Sequence, residues 1–314
     1  MILRKFSTSL IYLFFITAFS FLLSTQIPGD PAEMIANIGR AEPATQEMIE
    51  KVRMEYALDR PIPEQYLNWL ARVVLHGDFG KSFRTAVPVS SEIRNSLPAT
   101  LQLACWTFLF TIGISLPLGI FSAISRSRLA DQIIQLCALL GYAVPVFLVG
   151  NLFLWIFSVK LGWLPAIGRS SWRHVILPVA TLSIHLIGWA TQVVRSSVKE
   201  HLGQYYVLVA QAKGLPRRLI LQRYVLRPAL IPILTMFLIM LGQLVSGSFM
   251  IEVVFAWNGL GKLLIDAVMA RDYPMIQGLI FFIGAVFVSI NFLIDVLYVR
   301  LNPQIASQMQ GNAA

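Results

Sequence analysis

Several groups of residues in this 314-residue chain have the types needed for chemistry, and most lack the spacing. Gly80-Lys81-Ser82 has the tail of a phosphate-cradling loop. Such a loop needs a second glycine at position 75, where Leu75 stands, so nucleotide binding is not expected here. The histidines are His76, His174, His185 and His201, and the cysteines Cys105 and Cys137. No histidine pairs with another ligand type at i, i+4, and no CxxC occurs, so the residues define no metal site. The cysteines sit in apolar runs and read as small buried residues. Asp131, Glu252 and Asp295 lie near the ends of apolar runs, so none reads as a proton relay at mid-membrane depth. No Ser/His/Asp or Cys/His set and no paired carboxylates appear, so no catalytic residue is expected. His185 differs, because it lies inside an apolar run. It reads either as a neutral imidazole bonded to a neighbouring helix or as part of a substrate path. Met236, Met240 and Met250 read first as packing, with Met240 beside His185 as the other path candidate.

The elements that must position these residues are membrane helices. The chain is 56% hydrophobic and 13% charged, with a mean hydropathy of +0.68. Soluble domains carry about 25% charged residues. Six apolar runs, roughly 7–27, 97–122, 132–159, 177–194, 231–252 and 276–299, are long enough to cross as helices. The predicted class is an all-α membrane protein with six transmembrane helices. Its organisation is an N-terminal helix (1–27), a cap (28–96), a five-helix core (97–302) and a tail (303–314). The first run has no small-x-small cleavage site before Pro28, so it reads as a retained helix. Pro145 should kink the third run, because it removes a backbone hydrogen bond.

Charge sets the orientation. With the N-terminus inside, twelve basic residues of the short segments fall inside and five outside. Both termini are therefore expected in the cytoplasm, and 28–96 outside. The net charge of +9 follows this membrane pattern, so nucleic acid is not an expected partner. In the cap, 45–56 and 66–75 read as short amphipathic helices separated by Pro61 and Pro63. Trp257-Asn258-Gly259 reads as a turn before a short helix at 262–269. With Asp272 this outward hairpin forms a candidate external gate (Trp257, Gly259, Asp272), and Trp257 and Tyr273 suit the membrane interface.

The loop 195–229 carries seven basic residues and one acid, Glu200. It is patterned as a helix, a glycine break at Gly214 and a second helix. A folded basic loop on the cytoplasmic side suggests a docking surface for a soluble partner.

Ala210-Gln211-Ala212-Lys213-Gly214 followed by Leu226-Arg227-Pro228-Ala229-Leu230-Ile231-Pro232 resembles the EAA loop of ABC importer permeases, and within them the dipeptide/oligopeptide/nickel group. Gly29-Asp30-Pro31-Ala32, Asp78-Phe79-Gly80-Lys81-Ser82-Phe83, Leu97-Pro98-Ala99-Thr100-Leu101, residues 253–261 and Arg271-Asp272-Tyr273-Pro274 resemble further signatures of that group. Pro228 replaces a usual Asn, Asn258 a usual Pro, and Leu208 stands where the wider superfamily has Glu. The resemblance implies a type I importer fold in a bacterial inner membrane. It also implies a second homologous permease, two ATPases that use ATP and Mg, and a solute-binding protein. No cofactor is implied for this chain. Ala210, Ala212, Lys213 and Gly214 would form the ATPase-coupling element. Leu164-Pro165-Ala166-Ile167-Gly168 and Trp172-Arg173-His174-Val175-Ile176-Leu177-Pro178 resemble nickel-type members, which leans the substrate to nickel or a metal–chelator complex over small peptides. A secondary transporter is the distant alternative, and it would need a coupling-ion site that the residues do not offer.

Overall fold

The computed structural model describes residues 2–25, 30–37, 40 and 42–301. Gly29 and the tail 303–314 lie outside the described residues, as do the side chains of Asp295 and Arg300. In chain order the helices are α1 (Ile2–Thr25), α2 (Pro31–Ala36), α3 (Gln46–Glu55), α4 (Ile62–His76), α5 (Val89–Ile124), α6 (Arg128–Ala143) and α7 (Val146–Phe153). There follow α8 (Arg173–Leu202), α9 (Tyr205–Ala212), α10 (Arg217–Leu219), α11 (Arg227–Gly247), α12 (Phe249–Val254), α13 (Leu260–Met269) and α14 (Tyr273–Leu301). Two π-helical stretches, Leu154–Lys160 and Ile220–Leu226, continue α7 and α10. By contacts the chain forms two units, 1–100 with 258–289 and 101–257 with 290–314.

Helices dominate because hydrocarbon offers no partner to a free N–H or C=O. The 36 residues of α5 run ~54 Å at 1.5 Å each, well past ~30 Å of hydrocarbon, so the expected span 97–122 is only part of it. Four described helices are long and apolar enough to cross: Val89–Ile124, Arg173–Leu202, Arg217–Val245 and Tyr273–Ile294. The expected span 132–159 is instead two helices bent by 94°. Pro145 has no N–H to donate and forces the preceding Val144 into an extended conformation (ψ 129°), so the expected kink becomes a break. If that pair is one span the count is five, while the apolar stretch of α1, Ser7–Leu22, is shorter than the four. Six crossings are thus not reached by length and apolarity alone among the described residues.

In the first unit, α4 packs on α1. Phe21 meets the rings of Tyr66 and Trp69, and the Tyr66 hydroxyl lies 2.9 Å from Thr17 Oγ1. Asp30 caps α2 at Ala32 N (3.0 Å) and accepts from Arg53 of α3 at 2.6 Å, a bond that raises the guanidinium pKa further. The expected cap helices are present as α3 and α4. By contacts they belong with α1, α13 and α14. Val89 and Ile93 of α5 pack with Leu260, Met275, Ile276 and Leu279. Gly278 permits the approach, since a Cβ there would sit 2.6 Å from Val89 Cγ1.

In the second unit α8 is the hub. A Cβ on its Gly188 would lie 2.2 Å from the Ala138 carbonyl of α6, and one on Gly119 of α5 would lie 2.6 Å from Val194. Glycine at such crossings lets helix backbones touch, the usual device for packing in lipid.

Candidate functional site

The expected loop 195–229 is mostly helix. Residues 195–202 complete α8, and Arg217 onward runs through the π-helical stretch into α11. Only Gly203–Pro216 lies between them, and it holds α9. The helix ends in a Schellman motif: Gly214 N donates to Gln211 O (2.9 Å) and Leu215 N to Ala210 O (3.3 Å). Gly214 takes the left-handed conformation this requires (φ 73°). A Cβ there would meet nothing within 4 Å, so the demand is on the backbone angle alone. Pro216 then bars continuation and opens the next helix.

α9 has two faces. Val207 and Ala210 are buried, whereas Tyr205, Leu208 and Val209 are exposed, Leu208 by 57%. Ala212, Lys213 and Gly214 are exposed with them. Ala210 therefore packs inside the chain, unlike the other three residues expected to form the coupling element. An exposed apolar face flanked by Lys213, Arg217 and Arg218 is what a soluble partner would cover.

Beside this element Asp131, in the first turn of α6, accepts from Arg195 Nε and Nη2 at 2.7 and 2.8 Å and from Lys199 at 3.0 Å. Ser122 of α5 donates to the same carboxylate. One partly buried acid so ties α5, α6 and the end of α8 together, with a bidentate pair fixing its orientation. Sequence reading placed Asp131 at a helix start and missed this role. Its partners are 64 and 68 residues away.

The other expected site residues are placed as follows. His185 stacks on Tyr142 of α6 (ring centroids 4.8 Å), and its Nδ1 is buried with no hydrogen-bond partner among the described residues. Met240 and Met236 are buried in packing, while Met250 is exposed. Trp257 is fully buried, with Arg169 5.7 Å over its ring, and Tyr273 is buried as well, so both rings pack inside the chain. Gly259 is extended and opens α13 (φ −101°). Asp272 is buried. It accepts from Phe83 N (3.0 Å), from the Ser82 hydroxyl and from Met275 N (3.3 Å), capping α14 while holding the 82–84 turn. Asp272 and Trp257 belong to different units, and Asp272 acts as a clasp within its own. The Gly80-Lys81-Ser82 stretch is the other half of that clasp.

The 164–178 motif also has local duties. Gly168, left-handed at φ 102°, donates to Phe255 O (3.2 Å), and Arg169 donates to Gln102 (2.9 Å) below Trp257. His174 binds Ser171 through Nδ1 (2.9 Å). Gly168 and Arg169 thus help build the corner that seats Trp257. No group of three or more His, Cys, Asp and Glu side chains fit to hold a metal occurs among the described residues. Hydroxyls were missed in the sequence reading. Thr107, Thr111 and Ser115 recur every four residues on α5, fully buried and without partners among the described residues.

The family described as "Binding-protein-dependent transport system inner membrane component" matches residues 115–307, and its N-terminal part matches 1–104. The glutathione transport system permease protein GsiC of Escherichia coli strain K12 is 37% identical over 293 residues, covering 93% of this chain and 94% of its own. GsiC of Shigella flexneri serotype 5b matches to the same extent, at 37% over 93% and 94%. Among solved structures, the inward-facing MetNI methionine ABC transporter aligns with a TM-score of 0.56 at 18% identity, over 67% of this chain and 96% of that one. An amino acid ABC transporter with histidines aligns at 0.56 and 14%, over 67% and 94%. These two likenesses establish the fold.

Proposed function

Because the chain belongs to the family of binding-protein-dependent inner-membrane transport components, and so is a multi-pass permease subunit of an ABC importer, we propose that it forms half of a path for short peptides. The observation that carries this reading is the 37% identity to glutathione permeases over 93% of the chain. It favours the peptide alternative over the nickel lean. ATP hydrolysis belongs to the partner ATPases of such an importer, and a solute-binding protein delivers the cargo.

The exposed face of α9 with Ala212, Lys213 and Gly214 is the ATPase contact in this proposal. The Asp131 clasp makes the contact mechanically useful. Force applied to α9 is passed to α8 and, through Arg195 and Lys199, to α6 and α5 as one body. Rigid-body rocking then needs no bending of individual helices. A second, homologous permease completes the path, both termini face the cytoplasm, and the 28–96 cap lies outside. His185 and Met240 are held as path residues for another conformation of the pair.

The test is ATP-dependent uptake by the reconstituted importer, with labelled glutathione and dipeptides against nickel with and without histidine. Peptide uptake without nickel uptake is expected. Nickel uptake alone would overturn the substrate assignment and leave the permease role standing.

A further inference from the structure

The first unit contains a cavity of about 360 Å³ that the importer reading does not use. This falls within the size range of small-molecule sites, ~300–1,000 Å³. Its walls include Phe21, Trp69, Phe79 and Tyr273, and its polar rim includes Arg72 and Lys81. No acidic side chain among the described residues lines it. Both cations are exposed, and their side chains make no hydrogen bond or ion pair among the described residues. Trp69, nine-tenths buried, has an indole N–H with no acceptor there. Ala57 and Ala86 on the rim are left-handed (φ 52° and 57°), conformations that are costly for residues other than glycine and that collect at ligand sites.

We propose that this cavity binds a small molecule that joins an apolar or aromatic group to a carboxylate. The apolar group lies among the rings, and the carboxylate meets Arg72 and Lys81. An uncharged ligand would leave both cations unused, and a purely hydrophilic anion would leave the aromatic walls unfilled. The site stands apart from the substrate reading above, because it is formed by residues of one unit of this chain alone.

Calorimetric titration of the purified full-length chain in phosphatidylcholine nanodiscs tests it, with no binding protein or ATP present. N-acetyl-L-phenylalanine is expected to bind, and N-acetyl-L-phenylalaninamide at least tenfold more weakly. Arg72→Gln with Lys81→Gln should lower affinity for the acid by tenfold or more without moving the melting temperature, since both side chains are exposed. Asn68→Trp, which fills the cavity from its rim, should abolish binding and serves as the second variant. Equal binding of acid and amide, no binding by the wild type, or unchanged binding by both variants overturns the proposal. Loss of acid binding when phosphatidylglycerol is added to the discs would assign the site to a lipid headgroup instead, which also overturns it.

Discussion

Asp131 and Asp272 each hold distant segments of the chain together, by different means. Asp131 meets two cations and a hydroxyl, and its side chain keeps 16% of its exposure. Asp272 meets backbone N–H groups and one hydroxyl, and the residue is 2% exposed. The first is a charge clasp between helices that the proposal has moving together. The second is a geometric clasp that defines a turn and a helix start. A charge clasp adds to its hydrogen bonds a Coulomb attraction that falls off slowly with distance. Hydrogen bonds from backbone donors fix position within tenths of an ångström. The contrast matches the roles assigned above: force transmission beside α9, rigid support under α14.

Removing the geometric clasp should do the greater damage. Asp272→Ala leaves Phe83 N, Met275 N and the Ser82 hydroxyl unpaired in the interior, a loss of about 3–4 kcal/mol at the usual cost of buried unpaired groups. Denaturation of the purified chain should show the lower midpoint, and an unchanged midpoint would return Asp272 to a gate. Next comes Asp131→Asn. It keeps the shape and leaves Arg195 and Lys199 facing a neutral amide, at about 2 kcal/mol for a partly exposed pair. ATP hydrolysis by the assembled importer should become less dependent on cargo. Tight coupling in this variant would break the force-transmission argument.

The third substitution bears on α9 alone. Gly214→Val forces a branched side chain to φ 73°, at about 1–2 kcal/mol, and should weaken capture of the ATPase roughly tenfold while the chain still inserts. Undiminished capture would remove α9 from the docking surface. The smallest effect is expected from Arg53→Gln, whose ion pair with Asp30 keeps about a third of its exposure on each side (33% and 31%). Its denaturation midpoint should stay within scatter. A clear fall would mean that surface charge pairs hold the cap, and it would blur the contrast drawn here.

The local features were legible from residue types. Pro145 announced a kink and Gly214 a turn, because each restricts or frees one backbone angle whatever surrounds it. The helices on either side of α9 were cut short in the sequence reading because α8 and the segment from Arg217 carry charge where they leave hydrocarbon. Hydropathy registers that exit, and the helix continues past it. The burial of two aromatic rings was not legible for another reason. Trp257 and Tyr273 have amphipathic rings that suit an interface, and nothing local reveals that Arg169 covers one and Phe83 packs on the other.

Sequence alone determined that this is a helical membrane protein with a basic, glycine-broken element beside two apolar helices, because composition and backbone restriction act within a few residues. Tertiary structure decided which of its few acids are clasps, which face of α9 is free and that Trp257 is interior. Those outcomes depend on partners brought from 64 to 190 residues away. A one-dimensional pattern does not encode which distant side chain will supply the donor.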